Sequence, residues 1–406
     1  MRKILAAMGI CLTLTVTSAK ADMFSLHLTQ AASGIDELRQ FKSVEDIFDH
    51  YKDGDLKSLF SNYDNTKASV GLLDFRGIMM RLSFSASTIT PGVDSKLTFD
   101  APSVGVTGLT FDGGSQEESF KLLRDYLKNN RDGLLKKVLK ASVADTPYDA
   151  VAGNPGSLMA TMVDSSYQRG GGGVMGNFVS YLAPDAAVHH FKINGETKEA
   201  KVLSLPMGKT FQFDNGAALL FDLPLAYTDW EGSKSYSAQL GMGLKIPLVQ
   251  NDSIQWNLTP SARAGVVGST DMLSGGVLYF GGLTNYIKVP LGSAVNISMT
   301  NMAGYIRDMG VKVAGYEVEY DLKNMVFKNG ASADWQFANK WYIGAGYSYT
   351  FYSGSDLYVD KYHEVSTSLT RQFEKDSFFS GVALVGKYVF DRDHYYAYRA
   401  GINFLF

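Results

Sequence analysis

The sequence predicts a mainly β protein, an antiparallel transmembrane β-barrel of about 12 strands (10–12) that follows an N-terminal α+β segment. Three observations predict it. Apolar and polar residues alternate in long segments from about residue 216 onward, no stretch after Asp22 approaches the length of a spanning helix, and the connections sort into a short and a long set. Because only helices and closed barrels satisfy every backbone group in a bilayer, a membrane-embedded chain of this kind is a barrel.

Composition excludes several classes of protein. The chain has 406 residues, of which 45% are apolar and 19% charged, and this balance argues against disorder. A net charge of -3 leaves no basic excess for phosphate, so nucleic acid is not expected as a partner. The six histidines are scattered without metal-ligand spacing, and no nucleotide-binding glycine loop occurs. We therefore predict neither an enzyme nor a bound metal or other cofactor.

The start of the chain predicts export. A basic stretch at 1–3 precedes an apolar run at 4–16, and Ala19-Lys20-Ala21 has the small-x-small form of a cleavage site, so residues 1–21 are predicted to be a cleavable signal peptide. The one cysteine, Cys11, lies inside that segment. The mature chain is then expected to lack thiols, which excludes disulfides and cysteine ligands.

The alternation is clearest over 341–351, where Trp341, Ile343 and Tyr347 share one face and Gly344 lies on the other. A soluble antiparallel sandwich also alternates, but these segments exceed the usual globular strand and meet the roughly 9–11 residues that cross a bilayer at a tilt. The barrel is predicted over 186–406, with strands at 186–193, 198–213, 216–228, 234–249, 253–268, 275–290, 293–307, 325–337, 340–353, 362–374, 378–390 and 394–406.

The connections between these strands predict the orientation of the barrel. Five are very short (214–215, 250–252, 291–293, 338–340 and 375–377) and alternate with longer ones (269–275, 307–324 and 354–361), with 391–393 as the exception. Bacterial outer-membrane barrels have short periplasmic turns and longer outer loops. We therefore expect turn 338–340 and the C-terminus on the periplasmic side, and loop 354–361 outside.

The last strand carries the most specific pattern. Tyr398, Ala400, Ile402, Phe404 and Phe406 share one face, and the printed sequence stops on Phe406. This resembles the C-terminal signature of bacterial outer-membrane β-barrel proteins, in which Tyr398, Ile402, Phe404 and Phe406 would be read by the barrel-assembly machinery. The resemblance is to a structural class and covers roughly the last 190 to 220 residues. It implies the outer membrane of a Gram-negative cell, with the lipid bilayer and the assembly machinery as partners.

The N-terminal part has a different pattern. Apolar residues at helical spacing predict helices at 34–52, 116–143 and 155–168, with Asn154 as the cap of the third, and short strands are expected at 67–85 and 96–111. Residues 22–169 are thus predicted to form an α+β segment that plugs the lumen or lies in the periplasm. The glycine run at 170–173 would permit a hinge and opens a predicted linker, 170–185.

The alternation also assigns charged residues to the lumen. The predicted lumen-lining residues are Asp222, Lys245, Arg263, Lys328, Asp334, Lys387 and Arg399. Five positive charges against two would favour anions, unless these residues pair with each other or with a plug. The predicted function is a porin-like channel or transporter for small solutes. The alternatives are a surface-exposed adhesion or binding protein, with contacts through 307–324 and 354–361, and an autotransporter-like translocator, although 22–169 lacks the repetitive β pattern of a long passenger.

Overall fold

The structure is a computed structural model that describes residues 23–41, 43, 46–47, 56–85, 95–129, 133–172, 180–193, 195–313, 315–374 and 377–406. The predicted signal peptide, 1–21, lies outside these residues and stays a prediction. Within the described ranges, no helix is long and apolar enough to span a membrane.

Residues 23–145, called the N-terminal domain below, contain an antiparallel sheet of six strands in the order β2-β1-β3-β4-β5-β6. The strands are β1 (Phe24–Gln30), β2 (Ile35–Phe41), β3 (Ser69–Phe75), β4 (Ile78–Phe84), β5 (Lys96–Ala101) and β6 (Val106–Asp112), and the helices are α1 (Leu56–Leu59), α2 (Gln116–Lys128) and α3 (Leu134–Asp145). One face of the sheet buries Phe24, Leu97 and Phe99. Leu139 and Val143 of α3 belong to the same apolar core.

The predicted helix at 34–52 is wrong over its first half. Ile35–Phe41 is strand β2, which pairs with β1 after a tight turn at Gly34, where φ is 65°. Leu38, which helical spacing placed on the apolar face, is 57% exposed. Ile35 and Phe41 are an even number of residues apart and share one face of the strand, whereas Leu38 is an odd number of residues from each and points to the other face. Of the remaining predicted range, the structure describes only residues 43 and 46–47.

The other N-terminal predictions are confirmed in outline. The expected helix at 116–143 is present as α2 and α3, and Gly133 (φ 65°) directly precedes α3. Strands β3 to β6 occupy the ranges predicted to be extended. The sheet gives this segment an apolar core, and that core is continuous with buried residues of the barrel such as Leu278 and Val326.

The second sheet closes on itself as the predicted barrel of twelve strands, because β23 pairs with β8. Its strands are β7 (Ser180–Leu182), β8 (Asp185–Ile193), β9 (Glu196–Leu205), β10 (Met207–Gln212), β11 (Ala218–Asp222), β12 (Leu225–Trp230), β13 (Ser233–Gln250), β14 (Gln255–Ser269), β15 (Ser274–Leu291), β16 (Val295–Met309), β19 (Lys323–Ala338), β20 (Trp341–Gly354), β21 (Lys361–Gln372), β22 (Gly381–Phe390) and β23 (Tyr395–Leu405). A small hairpin, β17 (Val311–Val313) and β18 (Tyr316–Val318), lies in the connection between β16 and β19.

Three prolines explain why fifteen strand pieces make twelve barrel strands. Pro184, Pro206 and Pro224 interrupt three neighbouring strands, so β7 with β8, β9 with β10, and β11 with β12 each form one strand of the wall. Proline cannot donate to the ladder, and each interruption falls where a backbone N–H is missing. Ser180–Leu182, which lies within the predicted linker 170–185, already pairs with β10 and β23.

The predicted faces are present on the barrel. Large apolar side chains point outward, among them Tyr236 (62% exposed), Leu240 and Trp335. On β20, Ile343 and Tyr347 are exposed whereas Gly344 and Ser348 are buried on the inner side. The connection between β21 and β22 spans 373–380 and is longer than the predicted turn at 375–377. The other short turns remain at the end of the barrel that carries the C-terminus.

Candidate functional site: the barrel lumen and its internal helix

A segment of the chain passes through the barrel. Residues 148–172, called the plug segment below, contain helix α4 (Leu158–Tyr167). Val151 packs against Gly276 near one end of β15, and Gly171 packs against Tyr286 further along the same strand. The plug segment therefore runs from the end with the connections 270–273, 310–322 and 355–360, called the loop end, toward the end with the C-terminus, called the turn end.

Helix α4 begins at Ser157, whose side chain accepts a hydrogen bond from the Ala160 N–H. The predicted cap, Asn154, is wrong by three residues. Asn154 instead ties the preceding loop together, since its Nδ2 donates to the carbonyls of Pro147 and Asp149, both at 2.8 Å. The helix is buried nearly all round, as expected of a helix enclosed by other elements.

The glycine run does not form an open hinge where the structure describes it. A Cβ on Gly170 would lie 2.5 Å from Thr284, and one on Gly171 would lie 2.5 Å from the Tyr286 ring. Gly171 also has a φ of 136°, which side chains rarely adopt. Both glycines therefore let the backbone lie directly against β15, while Gly173 lies outside the described residues.

Buried ion pairs join the plug segment to the barrel wall. Lys328 Nζ is 2.6 Å from Asp164 Oδ1 on α4 and 3.6 Å from Glu364 Oε2 on β21, and its side chain is 1% exposed. Lys387 Nζ lies 3.0 Å from the other oxygen of Glu364. Charges taken out of water need partners of this kind, so the plug carboxylate and the wall lysines depend on one another.

A second group of contacts surrounds the last turn of α4. Arg263 Nη1 is 2.6 Å from Asp222 Oδ2, and its Nε donates to Ser166 Oγ at 3.2 Å. Arg169 donates to Thr210 Oγ1 at 2.9 Å. The plug segment is thus hydrogen-bonded to several strands of the wall.

The structure brings most of the predicted lumen charges into pairs. Asp222 with Arg263, and Lys328 and Lys387 with Glu364, are described above, and Arg399 makes two bonds of 2.7 Å to Asp185. The expected excess of positive charge in the lumen therefore does not support a preference for anions, because the count of predicted lumen charges omitted the carboxylates Asp164, Asp185 and Glu364. The sequence could have identified Glu364 as a lumen residue, since it shares the inner face of its predicted strand with Ser366. It could not have identified Asp164, because helical spacing does not show which part of the barrel wall a helix contacts.

The two remaining predicted residues line polar cavities in the turn-end half of the lumen. Asp334 lies at a cavity of about 130 Å³ whose wall also includes Ser298, Ser332, Ser366, Ser368 and Lys387. Lys245 lies at a second cavity of about 130 Å³, together with Gln212, Gln255 and Asn257. That these side chains line a conducting pore stays a prediction.

The loop-end half of the lumen is apolar. Trp230, Phe191 and Tyr395 form a ring cluster in which Trp230 is 5.1 Å and Tyr395 4.9 Å from Phe191, measured between ring centroids. Tyr148 of the plug segment adds to this cluster at 5.2 Å from Trp230. All of these rings are buried, so this half of the barrel is a packed core.

The N-terminal domain lies against the loop end. Arg76 of the turn between β3 and β4 is fully buried and lies 3.0 Å from Asp149 Oδ2, which also accepts a hydrogen bond from the Tyr320 hydroxyl at 2.9 Å. Lys136 on α3 lies 3.0 Å from Glu319, and this hydrogen bond raises the pKa of Lys136. The predicted segment 22–169 thus has two places: residues 148–169 lie in the lumen, and the described residues before them lie at the end opposite the C-terminus.

Phe404 and Phe406 of the predicted assembly signature lie at the turn end, whereas Tyr398 lies in the loop-end half of β23. Tyr398 is 58% exposed on the outer face, and the rings of Phe404 and Phe406 lie 5.6 Å and 5.0 Å from Phe379. Ile402 is half-buried on the same strand. Recognition of these residues by the assembly machinery stays a prediction.

Among the described residues, no group of three or more His, Cys, Asp or Glu side chains could hold a metal ion. No family model and no curated protein sequence matches the chain.

Solved structures similar to this chain are outer-membrane barrels. The translocator domain of the autotransporter NalP from Neisseria meningitidis is 10% identical with a TM-score of 0.40, over 61% of this chain and 96% of that one. The transport unit of the autotransporter AIDA-I from Escherichia coli is 8% identical with a TM-score of 0.43, over 61% and 97%. An outer membrane channel from Pseudomonas putida F1 is 11% identical with a TM-score of 0.39, over 56% and 96%. Likeness at this level carries no argument about function.

The class of the protein follows from its own architecture. A closed antiparallel barrel of twelve strands with an outward-facing band of apolar side chains is the architecture of outer-membrane proteins. The protein is an outer-membrane β-barrel protein whose lumen holds a helix from its own chain.

Proposed function

We propose that the barrel is an anchor that displays the N-terminal domain at the cell surface, as a surface-binding protein of autotransporter-like organisation. One observation carries the proposal: the plug segment passes through the lumen and connects a domain at the loop end to barrel strands entered from the turn end. Short turns face the periplasm in outer-membrane barrels. With that orientation, the described part of the N-terminal domain lies outside the cell.

Labelling of single cysteines tests the proposal, since the mature chain is predicted to contain none. Ser103→Cys places a thiol on an exposed residue of the N-terminal domain, and Asn339→Cys places one in a turn at the opposite end. A membrane-impermeant maleimide should label the first variant on intact cells and the second only after the outer membrane is permeabilised. If the maleimide labels only Asn339→Cys on intact cells, the barrel has the opposite orientation and the N-terminal domain lies in the periplasm.

A second candidate function is the predicted channel for small solutes. The polar cavities of about 130 Å³ in the turn-end half support it, because they hold space beside the plug segment that hydroxyl and charged groups line. In this hypothesis the plug segment closes the channel at rest. A solute would pass only when the contacts of Asp164 with the wall are broken.

Planar-bilayer conductance separates the two functions. The full chain should conduct little in either case, because the loop-end half is packed. Asp164→Asn removes the plug charge that faces Lys328, and Glu117→Gln on the exposed side of α2 is the matched control. Open events in Asp164→Asn alone would support the gated channel, and negligible current from all three proteins, with the barrel folded, would leave surface display as the function.

A further inference from the structure

Three asparagines lie side by side on the outer face of the barrel. Asn285 on β15 is the direct partner of Asn301 on β16, which is in turn the direct partner of Asn329 on β19. Their neighbours along the strands, such as Thr284 and Lys328, are buried on the lumen side, so the three amides point outward. Neither the lumen nor the proposed display of the N-terminal domain uses them.

The three amides lie inside the apolar band of the barrel. The outward residues two positions away on either side of each asparagine are all apolar: Leu283 and Ile287 on β15, Met299 and Ala303 on β16, and Phe327 and Ala331 on β19. In outer-membrane barrels this band is about 25 Å tall and contacts hydrocarbon. Because hydrocarbon offers no hydrogen bond, an amide that faces it without partners costs free energy.

The chain uses only part of the hydrogen-bonding capacity of this row. Asn301 Nδ2 donates to Asn329 Oδ1 at 2.8 Å. Trp256 Nε1 donates to Asn285 Oδ1 at 2.6 Å. Within the described ranges no other hydrogen bond engages the three side chains, so the Nδ2 groups of Asn285 and Asn329 and the Oδ1 atom of Asn301 have no partner. The row therefore offers donors at both ends and an acceptor in its middle.

A second copy of the chain supplies what the row lacks. A twofold interface brings the same patch of two subunits together, and amides, which both donate and accept, can pair with a reversed copy of their own row. Two convex barrels touch along a narrow strip, and three neighbouring strands span about 10 Å. Ala303 and Ala331 beside the row allow the two walls to approach closely, as small residues do between transmembrane segments.

We propose that two copies of the barrel associate in the outer membrane through β15, β16 and β19, with the three asparagines hydrogen-bonded across the interface. The lipid-facing surface of the barrel is then interrupted on this side by a protein contact. The pair would display two N-terminal domains together.

Cysteine cross-linking in outer membranes tests the contact, since the mature chain is predicted to contain no cysteine. A twofold axis at the middle of the row brings the two copies of residue 301 together, so Asn301→Cys should give disulfide-linked dimers on mild oxidation. Val188→Cys points outward on β8, six strands away in the barrel of twelve, and should give few. Equal yields of dimer from the two variants would indicate random collision and contradict the proposal.

Removal of an amide tests its contribution. Single-molecule photobleaching of the labelled full chain in lipid vesicles, at several protein-to-lipid ratios, measures the dissociation constant of the dimer. Asn301→Leu should raise this constant by about tenfold, because it removes the central hydrogen bonds and keeps an apolar surface. Thr367→Leu, which replaces an exposed outward hydroxyl on β21, is the matched control and should leave the constant unchanged. Retention of the heat-dependent gel shift shows that each variant is folded.

Two results would overturn the proposal. One is a wild-type chain that stays monomeric at every protein-to-lipid ratio, including a monomer whose amides hold a lipid headgroup. The other is a dimer whose dissociation constant neither Asn301→Leu nor Asn285→Leu changes. Either result leaves the labelling of Ser103→Cys unaffected, so failure of dimerisation and failure of surface display are distinguishable.

Discussion

The two halves of the lumen differ in kind, although the same strands form both. At the loop end, rings such as Trp230 and Phe191 pack around the first part of the plug segment, whereas hydroxyl groups, glycines and paired charges line the turn-end half. Lys328 and Asp164 lie where the two halves meet. The loop-end half therefore encloses the plug segment in close apolar packing, whereas the turn-end half leaves polar space beside it.

The largest effect is expected at the boundary between the halves. Lys328→Ala leaves the carboxylates of Asp164 and Glu364 buried without their shared cation, which should cost about 3–5 kcal/mol. Urea unfolding of the barrel in lipid measures the change. Lys312→Ala, at an exposed residue of the β17–β18 hairpin, is the control, and equal stabilities of the two variants would show that the boundary pair does not hold the plug segment.

The apolar half is tested by removal of a plug side chain. Leu158 of α4 is buried against β14 near Gly265, so Leu158→Ala should cost about 2–5 kcal/mol through lost burial and the space left behind. Ser366→Ala in the polar half should change the same unfolding free energy by about 0.5 kcal/mol or less. A larger loss from Ser366→Ala than from Leu158→Ala would reverse the comparison.

The close approach at the end of the plug segment should have an intermediate effect. Gly171→Ala adds a Cβ 2.5 Å from the Tyr286 ring at a φ of 136°, so we expect a loss of about 1–3 kcal/mol. Gly281→Ala lies on the same strand as Tyr286 and has open space around its Cβ. If heat-dependent gel shifts place both variants at the same melting temperature, the described glycines tolerate a side chain and the hinge interpretation regains support.

The smallest effect concerns the contact between the N-terminal domain and the loop end. Lys136 and Glu319 are partly exposed, so Lys136→Ala should cost less than about 1 kcal/mol, and salt should reduce the difference. The matched control is Lys121→Ala, whose pair with Glu118 stays within α2. Limited proteolysis of the N-terminal domain compares the two variants. A rise in cleavage for Lys121→Ala alone would show that the pair between Lys136 and Glu319 contributes nothing to docking of the domain.

Strand faces and chain reversals were predictable because both depend on local rules. The period of two in β20 puts Ile343 outside and Gly344 inside whatever the neighbouring strands are. The same local reasoning failed for β2, where the three-residue spacing of Ile35, Leu38 and Phe41 indicated a helix and pairing with β1 decided the outcome. It failed for Asn154 as well, because Asn and Ser157 are both good caps and the surrounding loop selected between them.

The sequence by itself determined that this chain forms a barrel of about 12 strands (10–12) and which residues face lipid, because the lipid solvent imposes those features strand by strand. Only the tertiary structure decided what occupies the lumen. The pairing of Lys328 with Asp164 joins residues 164 positions apart, and the docking of Arg76 on Asp149 joins three separate parts of the chain through Tyr320. Such contacts depend on how the barrel closes around α4. No local period in the sequence predicts which wall residues then lie next to which plug residues.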